Sequence, residues 1–289
     1  MKGPAGSARA QIDEAPRPIK ERWSLIETTM SILELHARLP PEVLDYIVDL
    51  LHDSRETLGD CCLVSKSWIP RTRTYLFADI KLESLANLEA WKKTFPDPTH
   101  SPGYHTRSLF VSCLRFITTA DAEEGGWIRA FPNVANLEVW NGIGNLREPM
   151  DSLVPFHNFS PALKSIVVAS RSLSLSEVFG LICTLPLLED LRILCHGMGT
   201  SDDDGPSFQP SISPVLSGTL LLHLPKGVGY TARRLLDLLN GLHFREFVCT
   251  LYLEEDIRWI TALVGECFES LECIEINCSL SRTSLRPLP

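Results

Sequence analysis

The chain has 289 residues, 44% hydrophobic and 22% charged, with a formal net charge of -9. This composition suits one large globular domain or two small ones and excludes collagen-like, mucin-like and wholly disordered chains. The acidic balance argues against broad binding to nucleic acid or anionic membrane, which needs a basic face, and no apolar stretch approaches the roughly 18 residues of a bilayer span.

Residues 1–22 are rich in Gly, Pro, Ala and charge and lack an apolar signal core, so residues 1–36 read as a flexible N-terminal segment. Within it, Leu25, Met30 and Leu33 fall at helical spacing and predict a short helix over 23–36. The nine cysteines are spread along the chain with no C-x-x-C pair. With no signal core they are expected to be buried thiols in a reducing compartment, cytosol or nucleus.

Residues 39–77 read as a small helical unit. Pro40 and Pro41 suit a helix start, where a missing N–H costs little. Leu44, Ile47 and Leu51 recur at helical spacing, with Asp45, Asp49 and Asp53 opposite them. A second apolar run holds Leu58, Cys61, Cys62, Leu63 and Val64. Trp68 follows, and Pro70 opens a third stretch ending at Phe77. A unit of about 40 residues is too small to be very stable alone and is expected to pack on something.

Beyond it runs an apolar-x-x-apolar-x-apolar pattern, weaker around Leu109 and Leu220 where the first residue is the polar Thr106 or Ser217, whose middle positions are Ile80, Leu109, Leu137, Ile166, Leu191, Leu220, Phe247 and Ile274, spaced 25 to 29 residues apart. This period lies in the leucine-rich-repeat range and predicts a strand and then a helix per repeat, built into a curved solenoid. Helices are predicted over 84–95, 175–185, 231–240 and 256–271, with Thr231 and Gly241 bracketing the third and a capping box at Ser174 and Glu177. The competing reading is a compact α/β layer fold with irregular helices. The Asn or Cys usual in such repeats is missing, so the backbone ladder it serves must close another way. Residues 198–213 read as an acidic inserted loop and 281–289 as a tail. The end of the chain is expected to be short or covered by a partner.

The segment 39–77 resembles an F-box, in the version carried by fungal F-box proteins. The matching residues are Leu39-Pro40-x-Glu42-Val43-Leu44, Ile47, Leu50-Leu51, Leu58, Cys61, Leu63-Val64-Ser65-Lys66-Ser67-Trp68, Arg71-x-Arg73 and Leu76-Phe77. Ser65 departs from the Cys that many members carry. The resemblance implies an N-terminal three-helix F-box over 37–78, followed by a leucine-rich-repeat-like domain over 79–280. It implies a non-catalytic substrate receptor of an SCF-type cullin-RING ubiquitin ligase. The F-box would bind the Skp adaptor, which reaches a cullin, and the repeats would hold a protein substrate.

By carry-over, the adaptor-facing residues are Leu39, Pro40, Leu44, Ile47, Leu50, Leu51, Leu58, Val64 and Trp68. Each has a competing reading as a core position, and Trp68 as a packing anchor. Substrate-facing candidates come from strand positions that alternate with the core: Lys81, Phe110, Glu138, Trp140, Arg192, His223 and Glu275. Phe110 and Trp140 are large rings where solvent would favour polar groups; cover by neighbouring loops is the competing reading.

No cofactor or metal is expected. Gly227-x-Gly229-x-x-Ala232 lies deep in the repeats after Pro225 and Lys226, so it reads as a strand-to-helix turn rather than a dinucleotide fingerprint. The histidines are scattered, and Asp202 to Asp204 read as a solvated loop. Two other functions remain open: a leucine-rich-repeat interaction scaffold with no role in degradation, and an enzyme built on the repeats, against which the missing catalytic constellation argues.

Overall fold

A computed structural model describes residues 40–112, 127–140, 156, 159–170, 175–195, 214–225, 228–238 and 241–279. The predicted helix over 23–36, the acidic loop, the tail, Leu39, Ser174 and Gly227 lie outside them. The chain divides into two units, Met1–Thr72 and Arg73–Pro289.

In the first unit, Pro41 opens helix α1 (Pro41–Leu50), with Glu42 in the first turn where the helix dipole favours an anion. Leu44 and Val48, four residues apart, are its buried side chains. Helix α2 (Arg55–Val64) starts at Ser54, whose hydroxyl accepts from the Thr57 N–H, and buries Leu58 and Cys61. Helix α3 (Ile69–Leu76) follows. Its Arg71 grips Asp49 of α1 in a fork, with Nε to Oδ1 and Nη2 to Oδ2 both at 2.6 Å. This bidentate geometry is the strong form of an ion pair. Thr72 is buried, and its hydroxyl donates to the Trp68 carbonyl.

The second unit is organised by strands. They are β1 (Asp79–Leu82), β2 (Ser108–Val111), β3 (Asn136–Trp140), β4 (Ser165–Ser170), β5 (Asp190–Cys195), β6 (Thr219–His223), β7 (Glu246–Leu251) and β8 (Cys273–Cys278). All pair in parallel and in chain order, forming one sheet. The register carries Ile80, Leu109, Leu137, Ile166, Leu191, Leu220, Phe247 and Ile274 across the sheet in one row, so the eight repeat positions meet side by side. From β2 to β7 this row and the parallel row from Val111 to Cys249 are almost wholly buried. Helices α4 (Leu85–Thr94), α5 (Leu175–Ile182), α6 (Val228–Leu236) and α7 (Ile257–Glu266) follow β1, β4, β6 and β7. Leu88, Leu181, Leu235 and Leu263, one from each, join the same buried cluster.

A backbone ladder links successive steps. Ahead of the strands, the N–H groups of Arg107, Ala135, Lys164, Glu189, Gly218, Arg245 and Glu272 each donate to the carbonyl of the preceding step, at 2.7–3.0 Å. The seven steps begin at the carbonyl of Ala78 and run on through those of Arg107, Ala135, Lys164, Glu189, Gly218 and Arg245. Gly218 is required here: a Cβ would sit 2.1 Å from Asp190 Oδ1, the carboxylate oxygen that accepts the Thr219 N–H at 2.6 Å.

This architecture corrects the expected fold class. The chain does not form a three-helix F-box followed by a leucine-rich-repeat-like curved solenoid; it is an α/β fold with one eight-stranded all-parallel sheet and, among the described residues, seven α-helices. The period of the apolar pattern reports only where strands recur. A period of that length also suits an α/β sheet, and the pairing joins all eight strands into one parallel sheet. The third predicted helix is also shifted. It begins at Val228, so Thr231 is buried inside the first turns rather than capping them. The cap falls to Asp256, whose Oδ1 accepts the Gly229 N–H at 3.0 Å.

Candidate protein-interaction sites

In α1 and α2 the apolar residues outnumber the buried positions. Leu44 is 6% exposed and Leu58 fully buried, so both are core positions. Ile47, Leu51, Val64 and Trp68 are half-buried, Pro40 is exposed, and Leu50 is 64% exposed. Leu39 lies outside the described residues. Three exposed residues belong with Leu50 and were missing from the sequence-derived set: Val43, Tyr46 and Leu63. Val43, Tyr46 and Leu50 stand at i, i+3 and i+7, one face of α1. That spacing is readable in the sequence, but it runs beside the Leu44–Ile47–Leu51 stripe. Periodicity alone does not say which stripe is buried.

The second candidate is the sheet face that alternates with the core. The pairing places Lys81, Phe110, Glu138, Val167, Arg192, Leu221, Val248 and Glu275 in one row. Trp140, Ala169, Leu194, His223, Thr250 and Asn277 form the next. All seven predicted substrate-facing residues therefore share this face, but they do not form one pocket. At about 4.8 Å per strand, Phe110 and Glu275 lie roughly 29 Å apart across six steps.

Two clusters stand out. Phe110 and Trp140 are half-buried with ring centroids 6.1 Å apart, and the Trp140 indole donates to Glu138 Oε1 at 2.5 Å. His223 lies edge-on to Tyr252 at 6.0 Å, with its Nδ1 3.2 Å from Thr250 Oγ1 and its Nε2 3.4 Å from the Tyr252 hydroxyl. Half-buried Val167 and Leu194 lie on the strands between them, and half-buried Leu221 and Val248 on the strands of the second cluster. Neither these four nor Tyr252 was singled out in the sequence, although the four occupy the same alternating positions. Arg192, Lys81 and Glu275 are exposed. The face thus carries apolar side chains interrupted by Arg192 on the interior strand β5, with Lys81 and Glu275 on the two edge strands.

Four of the described thiols are buried. Burial pushes Cys61, Cys183 and Cys267 above the usual thiol range and Cys249 up to about 11. Raised values disfavour the reactive thiolate. Among the described residues no helix is long and apolar enough to cross a membrane. No protein-family model, curated protein or solved structure matches the chain.

Proposed function

We propose that this protein is a non-catalytic substrate receptor of an SCF-type cullin-RING ubiquitin ligase. Residues 39–77 dock on a Skp adaptor, and through it a cullin; the second face of the sheet holds a protein substrate. The observation that carries this reading is the exposed stripe Val43, Tyr46 and Leu50, with Leu63 exposed as well, inside the segment whose sequence resembles an F-box. Exposed apolar residues in a short helical segment favour a partner surface. The receptor's physical role is proximity, holding a substrate lysine near a charged ubiquitin carrier. The cytoplasm or nucleus is the compartment proposed, in keeping with buried free thiols.

Co-expression with a fungal Skp adaptor followed by size-exclusion chromatography tests the reading. Co-elution at one-to-one stoichiometry is expected, and Tyr46→Glu with Leu50→Glu is expected to abolish it while leaving the circular dichroism unchanged. Separate elution of two folded proteins would overturn it. Pull-down of cullin and of ubiquitin-transfer activity separates this role from that of an interaction scaffold.

A further inference from the structure

The two edges of the sheet differ in how they meet solvent. At one edge stands β1, four residues long, with Ile80 half-buried and Leu82 buried. The carbonyls of Ala78 and Leu82 turn toward β2, where they accept from the N–H groups of Ser108 and Ser112. Backbone groups alternate sides along a strand, so the outward groups of β1 belong to Asp79 and Lys81. Short length and charged residues are the usual guards of an edge against further pairing.

The opposite edge, β8, is unguarded. Its sequence, Cys-Ile-Glu-Ile-Asn-Cys, holds a single charged residue and no proline, and it runs in unbroken register with β7. Among the described residues no strand pairs with its other side. The N–H groups of Cys273 and Ser279 turn toward β7 and donate to the carbonyls of Arg245 and Leu251. By the same alternation, the N–H and C=O groups of Ile274, Ile276 and Cys278 point outward along the free edge. Ile274 and Ile276 extend the buried rows of Phe247 and Cys249, but they are 50% and 42% exposed.

We propose that this edge pairs with β8 of a second copy of the chain, antiparallel about a two-fold axis at Ile276. A row of outward N–H and C=O groups takes an extended backbone, and the side chains of β8 are complementary to themselves. In this register Ile276 stands opposite Ile276 of the copy, and Ile274 opposite its Cys278. These are the outward-pointing residues, so each pair exchanges both backbone hydrogen bonds. The isoleucines meet on the helix-covered face. On the other face Glu275 stands opposite the copy's Asn277, and Asn277 already donates to Glu275 of its own strand at 2.8 Å. Shifting the pairing by two residues sets Glu275 against Glu275, like charges directly opposite, and shifting it the other way carries Ile274 past the end of the facing strand. A slip of one residue turns the isoleucines to the wrong face. The two-fold contact also closes, whereas β8 pairing with β1 of the next copy would run on without end. The proposal rests on the sheet edge and is independent of the ubiquitin-ligase reading.

Sedimentation equilibrium of the full chain over a range of concentrations tests this, under reducing conditions so that the exposed Cys273 and Cys278 do not cross-link. The average mass is expected to climb with concentration and level off at twice that of the chain. Ile276→Lys brings two ammonium groups together on the axis and is expected to weaken the dimer about tenfold or more, with the melting temperature unchanged. Asn277→Glu sets like charges opposite each other and is expected to weaken it about fivefold; adding Glu275→Lys makes the facing charges opposite in sign and is expected to restore it. Should Ile276→Lys fail to fold, the Asn277→Glu variants carry the test. A monomer at every concentration, a mass that grows past the dimer, or a dimer that folded Ile276→Lys and Asn277→Glu both leave intact would each overturn the proposal. Loss of the dimer in Tyr46→Glu with Leu50→Glu would overturn it in favour of self-association through α1.

Discussion

In α1, Leu44 and Val48 are buried while Val43, Tyr46 and Leu50 of the same helix stand in solvent; in β4, Ile166 and Val168 are fully buried. The difference lies in what each element packs against. A strand inside a parallel sheet has paired neighbours on both edges, and here one face is covered by helices, so its core positions close completely. Helix α1 buries one narrow stripe, Leu44 and Val48. The surplus apolar surface is what a partner can use. Burial in the sheet therefore measures stability, whereas the exposed stripe of α1 contributes little to it.

Substitutions can break that comparison. The largest effect is expected for Leu191→Ala at the centre of the sheet. It removes a fully buried side chain and should cost about 2–5 kcal/mol in urea unfolding. Leu50→Ala should change stability by no more than about 0.5 kcal/mol and act on adaptor binding instead. Equal losses of stability would erase the distinction between the two regions.

Gly103→Ala comes next. A Cβ there would lie 2.4 Å from the Ala130 carbonyl, a backbone atom that cannot swing aside. An overpacking cost of about 1–3 kcal/mol is expected in the same assay. A neutral result would show that the segment carrying Ala130 yields readily.

Asp256 sharpens the comparison through pH. Burial raises its pKa; the hydrogen bond from the Gly229 N–H opposes the rise and Glu255 adds to it. A carboxyl whose folded pKa exceeds its unfolded value contributes stability that is fully present below the unfolded pKa. That stability is lost as pH rises through the folded pKa. Asp256→Asn keeps an acceptor for Gly229 and never ionises. Its melting temperature should exceed the parent's at neutral pH, and the gap should close in acid below the ordinary carboxylate range. A gap that stays constant with pH would assign the effect to packing.

The smallest effect is expected for Gly59→Ala, inside α2 in the more open region. A Cβ there meets nothing within 4 Å. Alanine restricts the unfolded chain and favours the helix, so a gain of about 0.4–1 kcal/mol in thermal unfolding is expected. A loss would show that α2 needs flexibility at that point.

Much of the sheet was legible before any coordinates. Alternation along a strand forces the core residues to i and i+2, so Leu109 with Val111 and Leu191 with Ile193 announce themselves. Even the weaker copies around Leu109 and Leu220, with a polar first residue, form strands in register. The architecture was less legible. A period of 25 to 29 residues is compatible with a curved solenoid and with an α/β sheet, and the helices that discriminate between them depend on packing. Thr231 shows the limit at a helix end. It has the chemistry of a cap, but the buried Asp256, twenty-five residues later, supplies the acceptor from another element.

Local chemistry, written in residue order, determined where the strands recur, which strand positions face the core, and that residues 39–77 carry apolar side chains at helical spacing. These depend on neighbours a few residues apart, so periodicity, caps and prolines reveal them. Tertiary structure alone decided which stripe of α1 is left exposed and that Phe110 and Trp140 meet on one face. It also decided that Trp91, Phe95, Pro98 and Trp127 line one cavity. The physical reason is distance along the chain: Trp91 and Trp127 are 36 residues apart in sequence, and only the folded packing of their elements sets the space between them.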